Sequence, residues 1–272
     1  MKHVAKFKRL VKKVLLKGGA STHANRFENS ENTAGIIVEI LGAPGTKKHI
    51  VFPEVEKRLS YKWNTNIWLA STLLPVWTDR DAVDLFFLNL LELQFKRFRS
   101  EPRPFPHCLD VLAANARFLH MHRRIVTDRF SVGGWFLYEG IFHHFADEIL
   151  ALFESGVLNS EELPRLLGEK RAVIYLDVPG EEVKKNLIER SGENVFWNYV
   201  DVYKDSLDGF IDQAIQVRNK LIPYLSDCGY YTCRIATSGL SDREIANRIL
   251  SSERHIVSKF GCISDSIKRS VA

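Results

Sequence analysis

A short glycine-containing segment, Gly42-Ala-Pro-Gly-Thr-Lys-Lys-His49, combines the residue types that bind phosphate groups. Glycines let backbone N–H groups approach an anion closely, and a lysine supplies an ammonium group at contact distance. Because a nucleotide tail carries about three or four negative charges, it needs convergent amides and at least one ammonium. The predicted nucleotide-binding residues are Gly42, Ala43, Pro44, Gly45, Thr46, Lys47, Lys48 and His49.

Set against the phosphate-loop pattern GxxxxGK[ST], the segment supplies the first glycine, Gly42, and the lysine, Lys48. It departs at two positions. Lys47 stands where the second glycine belongs, and its Cβ is expected to widen the loop. His49 stands where a hydroxyl would hold Mg²⁺. The alternative interpretation is a Gly-Pro turn between a strand and a helix, with two solvated lysines.

The elements around this loop must form a strand and a helix if it is to bind an anion. The apolar, β-branched run from Gly35 to Leu41 predicts a buried strand, and helical spacing of apolar residues over 50–59 predicts the helix. Strand, glycine loop and helix in this order make backbone amides and a helix N-terminus converge.

Further strands and helices alternate along the chain. Strands are predicted at 124–128, 171–178 and 230–236, and helices over 81–98, 110–122, 135–155, 181–190, 205–225 and 241–250. This alternation predicts an α/β fold: a parallel sheet of about five strands with helices on both faces, a three-layer sandwich. Ligands then bind at the carboxyl ends of the strands.

The positive charge of the 272-residue chain is concentrated in one arm. Residues 1–17 hold seven of the 38 basic residues, so 31 remain against 33 acidic residues and the body has a net charge of −2. Nucleic acid is therefore not an expected partner. Apolar residues alternate with the lysines at helical spacing, which favours either attachment to an anionic membrane surface or a solvated helix packed on the body. Residues 1–33 are interpreted as arm and linker.

Cysteine content and hydropathy indicate a cytoplasmic protein. The four cysteines, Cys108, Cys228, Cys233 and Cys262, form no CxxC pair. The longest apolar runs are too short to span a membrane, and the N-terminus lacks the apolar stretch of a secretory signal. Any membrane association is therefore expected to be peripheral, at the inner surface of the membrane. The oligomeric state, a homodimer included, is left open.

A second constellation begins with Val126-Thr-Asp-Arg-Phe-Ser131 and continues to Tyr138-Glu-Gly140. It resembles the thymidylate kinase pattern of Asp-Arg-Tyr, paired serines and Tyr-Gln-Gly, with one additional residue. Leu112-Ala-Ala-Asn-Ala-Arg117 is similar to the helix whose arginine meets the acceptor phosphate in that family. A third segment, from Val173 through Asp177, Arg190 and Gly192, resembles the run that leads into the lid of nucleoside monophosphate kinases.

On these motifs, residues 36–250 are identified as resembling a divergent thymidylate-kinase-like P-loop kinase, although the altered loop and serines argue against a true thymidylate kinase. The resemblance implies one domain over 34–272, with a helical insertion at about 60–105 and a lid near 190–204. It implies catalytic roles for Lys48, Asp128, Arg129, Glu139 and Arg190, with Asp128 as the Mg²⁺ ligand. The resemblance assigns acceptor binding to Arg117, Arg129 and Tyr138.

The implied reaction is phosphoryl transfer from ATP to a small acceptor, which could be a nucleotide, a sugar or a glycan precursor. The missing hydroxyl at position 49 leaves the Mg²⁺ requirement open. Two alternatives remain: a non-catalytic nucleotide-binding protein, and a sulfotransferase that uses a nucleotide sulfate. The histidine pairs His120/His122 and His143/His144 are interpreted as structural rather than metal-binding, because no cysteine or carboxylate accompanies them at ligand spacing.

Overall fold

The computed structural model describes residues 35–67, 82–101, 104–127, 134–190, 199–203 and 206–261. The N-terminal arm, Asp128 and Arg129 lie outside the described residues, as does Cys262. Cys108, Cys228 and Cys233 are free thiols. None of the described helices has the length and apolarity needed to cross a lipid bilayer.

Five strands form one parallel sheet, which confirms the predicted α/β class. They are β1 (Ile37–Leu41), β2 (Trp63–Asn64), β3 (Gly134–Leu137), β4 (Arg171–Asp177) and β5 (Tyr231–Ala236), and they lie side by side in the order β2-β3-β1-β4-β5. β1 is central, with Ile37 opposite both Trp135 of β3 and Arg171 of β4. All five residues of β1 are buried, as expected for a parallel strand covered on both faces.

Ten helices are present in the described part of the chain. They are α1 (Lys48–Arg58), α2 (Ala82–Phe98), α3 (Phe105–Thr127), α4 (Ile141–His144), α5 (Ala146–Glu154), α6 (Glu162–Leu167), α7 (Gly180–Glu189), α8 (Tyr199–Val202), α9 (Leu207–Asp227) and α10 (Asp242–Gly261).

Alternate residues of β4 enter two separate apolar cores, one on each face of the sheet. Val173 and Tyr175 pack with residues of α2, α3, α5, α6 and α9. Ala172 and Ile174 pack with residues of α1, α7 and α10. Because side chains of a strand alternate between faces, this distribution gives three layers, helix, sheet and helix.

The predicted strand at 124–128 is wrong through Thr127, because α3 extends to that residue. Buried residues recur along α3 with helical spacing up to Ile125: Val111, Asn115, Phe118, His122 and Ile125. The strand lies later, at β3, which overlaps the start of the predicted helix 135–155. All four residues of β3 are buried, and a short apolar run buried on both faces has no periodicity by which to tell it from a helix.

The expected helical insertion at about 60–105 also contributes to the sheet. Trp63 and Asn64 pair with Gly134 and Trp135, so this segment supplies the edge strand as well as α2. In the region predicted as a lid, α8 and Tyr203 are described, whereas 191–198 and 204–205 lie outside the described residues.

Candidate functional site

The loop after β1 combines two left-handed residues with amides that have no backbone acceptor. Gly45 has a φ of 87° and Lys47 a φ of 54°, and α1 begins at Lys48. Lys47 thus adopts the left-handed conformation that glycine adopts readily at this position of the phosphate-loop pattern. For a residue with a Cβ, this conformation costs roughly 1–2 kcal/mol. In the described part of the chain, the amides of Gly45, Lys47 and Lys48 donate to no backbone carbonyl. Such amides are the donors with which loops and helix N-termini bind anions.

Two buried side chains hold the loop from behind. Arg218 donates from Nε to the carbonyl of Gly42 at 3.0 Å, and Asn186 donates from Nδ2 to the carbonyl of Gly45 at 2.8 Å. Both interrupt apolar helix faces: Arg218 lies on the stripe of α9 between Ala214 and Leu221. A polar residue within a buried stripe was the available sequence signal, but only the fold shows which carbonyl each residue reaches.

Lys48 is buried, with 6% of its surface exposed, which removes the alternative of two solvated lysines. Its Nζ lies 2.6 Å from Nδ1 of His143 and 3.9 Å from Oε1 of Glu139. Burial lowers the pKa of Lys48 from 10.5 to about 7; Glu139 opposes this shift, and the charge of Arg218 adds to it. A nearby anion would favour the protonated form of this amine.

His143 lies between Lys48 and Glu139. Burial, followed by the charge of Lys48, keeps the pKa of His143 well below 6.5, so the ring is neutral. Nδ1 of His143 lies 2.6 Å from Nζ of Lys48 and 3.2 Å from the carbonyl oxygen of Gly42, and Nε2 lies 3.4 Å from Oε1 of Glu139. Lys48, His143 and Glu139 form one polar chain. His143 was interpreted from sequence as structural; its position four residues after Glu139, within a span predicted as helical, was the available signal.

Glu139 and Tyr138 follow directly after β3, at the same edge of the sheet as the loop after β1. Tyr138 is 41% exposed, and its ring packs against Phe52 of α1 with centroids 5.3 Å apart. A Cβ on Gly140 would lie 1.9 Å from Oε2 of Glu39, so only glycine fits there. The predicted Tyr-Glu-Gly motif thus turns around a buried carboxylate of the central strand.

Glu39 and Arg171 form an ion pair between β1 and β4 in which both side chains are at most 1% exposed. Glu39 also accepts from the amide of Phe142 at 3.1 Å, and Arg171 donates to the carbonyl of Leu167 at 2.6 Å. Nε2 of His122 lies 3.1 Å from Arg171. Burial raises the pKa of Glu39, against the opposing charge of Arg171. The pair positions the Glu139 turn without reaching the cleft.

A cleft of about 770 Å³ lies over the loop. Of the predicted residues, Ala43 to His49, Tyr138, Glu139 and Arg190 line it, while Gly42 is bonded behind it through its carbonyl. Arg117 is not brought there: it is exposed on α3, and its Nε donates to the carbonyl of Ala113. Asp128 and Arg129 lie outside the described residues, and the expectation that they end a strand fails because α3 occupies 124–127.

The opposite part of the lining was not found from the sequence. Arg97 donates to Glu148 at 2.8 Å and to Glu101 at 3.2 Å, and lies 3.7 Å from Asp147. Burial alone would lower the pKa of Arg97, but these three carboxylates raise it. Burial raises the pKa of Glu148 to about 7, against the charge of Arg97.

The described donors do not make a Mg²⁺ site. The Glu139 carboxylate faces Lys48, His143 and His144, and His49 has no hydroxyl to offer. In the described ranges, no three His, Cys, Asp or Glu side chains are grouped so that they could hold a metal ion. No protein-family model matches the chain, and no curated protein sequence is significantly similar to it.

Proposed function

We propose that the protein transfers the γ-phosphoryl group of ATP to a hydroxyl of a small acceptor. One observation carries this proposal: a buried lysine, Lys48, opens the helix that follows a glycine loop with three amides lacking backbone acceptors. The loop follows the central strand of a parallel sheet, whose carboxyl edge is where such folds bind ligands. Both sources of positive potential point to a polyphosphate.

Three basic residues that line the cleft have roles in this proposal. Lys48 binds the β- and γ-phosphates, and Arg218 keeps the loop in shape while adding a second positive charge beneath it. Arg190, at the end of α7, lines the cleft and is the candidate to cover the γ-phosphate. The resemblance assigns Asp128 to Mg²⁺ and Arg129 to charge neutralisation during transfer, roles that stay proposals for residues outside the described ranges.

The transfer step requires little covalent chemistry from the protein. The acceptor oxygen forms a bond to the γ-phosphorus while the bond from that phosphorus to the β,γ-bridging oxygen breaks, and ADP leaves with the bridging electrons. The hydroxyl proton passes to the carboxylate of Glu139. Positioning and a fixed electrostatic environment lower the barrier, with Lys48 meeting the phosphate charge.

The test compares Lys48→Met with Lys47→Met, which removes an ammonium from the half-buried neighbouring position. ATP affinity by calorimetry should fall about 10- to 100-fold in Lys48→Met, the loss expected for a charged hydrogen bond, and less in Lys47→Met. Release or transfer of the γ-phosphate should be lost with Lys48. Unchanged affinity and turnover in Lys48→Met would remove the loop from the mechanism.

A Mg²⁺ titration of the wild-type chain separates the remaining alternatives. Metal-dependent consumption of ATP supports the kinase, whereas ATP affinity without metal-dependent turnover identifies a non-catalytic nucleotide-binding protein. Preference for adenosine 3′,5′-bisphosphate over ATP would instead favour sulfuryl transfer. The cytoplasmic face of an anionic membrane is the proposed location, on the strength of the seven basic residues within 1–17.

A further inference from the structure

The cleft has a second polar wall, formed by α2 and the elements next to it. Its members are Gln94, Arg97, Glu101, Asn115, Asp147 and Tyr203, called here the α2 wall. The wall is linked to the phosphate loop side, because Nε2 of Gln94 lies 3.4 Å from the carbonyl of His144, and His144 is 3.8 Å from Glu139. A molecule on this wall is therefore adjacent to the carboxylate that we place at the reacting hydroxyl.

Two buried amides give the α2 wall a hydrogen-bond acceptor. Gln94 is 1% exposed and Asn115 is 4% exposed. Nδ2 of Asn115 donates to Oε1 of Gln94 at 2.9 Å. Asn115 lines the cleft, and its hydrogen bond to Gln94 uses Nδ2, which leaves Oδ1 as an acceptor. An amide oxygen at the lining of a cleft favours a ligand that donates a hydrogen bond.

The charges of the α2 wall exclude an anionic acceptor. Arg97 is its only cation among the described residues, and it is bonded to Glu148 and Glu101 with Asp147 close by. A phosphate monoester placed here would meet two cleft-lining carboxylates and no available cation. Arg117, the residue expected to meet an acceptor phosphate, is exposed outside the cleft.

An aromatic surface completes the wall. The rings of Tyr203 and Phe210 stack with centroids 4.2 Å apart and planes 15° apart, and both residues line the cleft. The hydroxyl of Tyr203 donates to Oε2 of Glu101 at 2.8 Å, which fixes that carboxylate. Apolar aromatic surface beside fixed oxygen acceptors matches a molecule with C–H faces and donating hydroxyl or ammonium groups.

We propose that the acceptor is a phosphate-free, hydroxyl-rich molecule of the hexose or hexosamine class, bound on the α2 wall. This rests on the proposed function, and it decides against a nucleoside monophosphate. The hydroxyl or ammonium groups donate to Oδ1 of Asn115 and to the carboxylates of Glu101 and Asp147, and one hydroxyl reaches Glu139.

Saturation-transfer NMR on the full chain tests this without turnover, using glucose, glucosamine and thymidine monophosphate as separate probes. Both sugars should bind. Asp147→Asn removes one charge at constant shape. It should weaken the binding of glucosamine about tenfold and the binding of glucose less, as expected when a charge-assisted contact becomes a neutral one. Asn115→Leu should weaken both sugars. Glu92→Gln, an exposed carboxylate on the same helix as Gln94, is the matched control and should change nothing.

Thymidine monophosphate should bind through its phosphate only at the loop. This binding should be lost in Lys48→Met and retained in Asp147→Asn. The proposal is overturned if neither sugar binds at millimolar concentration, or if sugar binding is unchanged in both wall variants. It is also overturned if Asp147→Asn strengthens the binding of thymidine monophosphate, because a phosphate would then occupy the α2 wall. ATP affinity measured in parallel reports separately on the proposed function.

Discussion

At the residue scale, the cleft keeps one lysine buried at a cost to the folded state. Lys48 has few groups that stabilise its charge: Nδ1 of the neutral His143 ring lies 2.6 Å away, and Glu139 is 3.9 Å away. Arg218 beneath the loop disfavours the ammonium further. The phosphate that we propose to bind here would supply the missing negative charge. Function and stability therefore oppose each other at this position, as is common at binding sites.

Replacing Lys48 by methionine should stabilise the nucleotide-free protein at neutral pH. The folded pKa of about 7 lies below the ordinary 10.5, so the unfolded chain binds the extra proton between these values. The cost of burying the charge is full below about pH 7 and shrinks as pH rises, at about 1.4 kcal/mol per unit. Urea unfolding should show the advantage of Lys48→Met largest near about pH 6 and declining by about pH 9. A pH-independent difference would contradict the lowered pKa.

A second consequence for Lys48 concerns ATP itself. Because the free amine has a pKa of about 7 and phosphate favours the ammonium, binding above neutral pH should take up a proton. Calorimetry near about pH 8 in buffers of different ionisation enthalpy should show an uptake approaching one proton for wild type and much less for Lys48→Met. Equal uptake in both would place the titrating group elsewhere.

At the scale of elements, a single buried ion pair joins β1 to β4 and sets the turn after β3. Glu39 accepts from the first turn of α4, while Arg171 reaches the end of α6. Breaking such a pair by removing one partner leaves a buried charge, which typically costs about 3–5 kcal/mol. Glycine at position 140 leaves room for this carboxylate.

Gly140→Ala and Glu39→Gln should each lower the free energy of unfolding by roughly 3 kcal/mol or more, since both disturb the same pair. Gly209→Ala is the matched control: nothing lies within 4 Å of its added Cβ, and alanine suits the interior of α9. Urea denaturation of these three variants and of the double variant Glu39→Met/Arg171→Met tests this prediction. The double variant should be more stable than Glu39→Gln, because it leaves no unpaired buried charge. Equal instability of the two would contradict this explanation.

At the scale of the whole molecule, charge is separated along the chain. The first 17 residues carry seven basic side chains, and the remainder has a net charge of −2. Basic and acidic side chains are also separated within the cleft. Lys47 and Lys48 lie at the loop, whereas Glu101 and Asp147 lie on the α2 wall. On the proposed function, this arrangement would favour anions at the loop.

Replacing the seven basic residues of 1–17 by glutamine should abolish binding to vesicles containing phosphatidylserine. Each Lys or Arg near an anionic surface contributes about 1 kcal/mol, and this attraction is screened by salt. Co-sedimentation of the full chain should show binding at low salt that weakens at high salt. Phosphatidylcholine vesicles are the control, and equal binding to both lipids would attribute attachment to something other than the arm's charge.

The sequence by itself determined the loop, its lysine and the alternation of strands and helices, because these depend on residues that are neighbours in the chain. Strand β4 and helix α1 were found where apolar patterns place them. Residues 124–127 were predicted as strand and are helical, and residues 135–137 were predicted as helix and form most of β3. A short apolar run fits either structure until its neighbours bury it. Tertiary structure alone decided what surrounds Lys48. His143 lies 95 residues from Lys48, and Arg218 and the α2 wall meet the loop only after folding, so no local pattern could pair them.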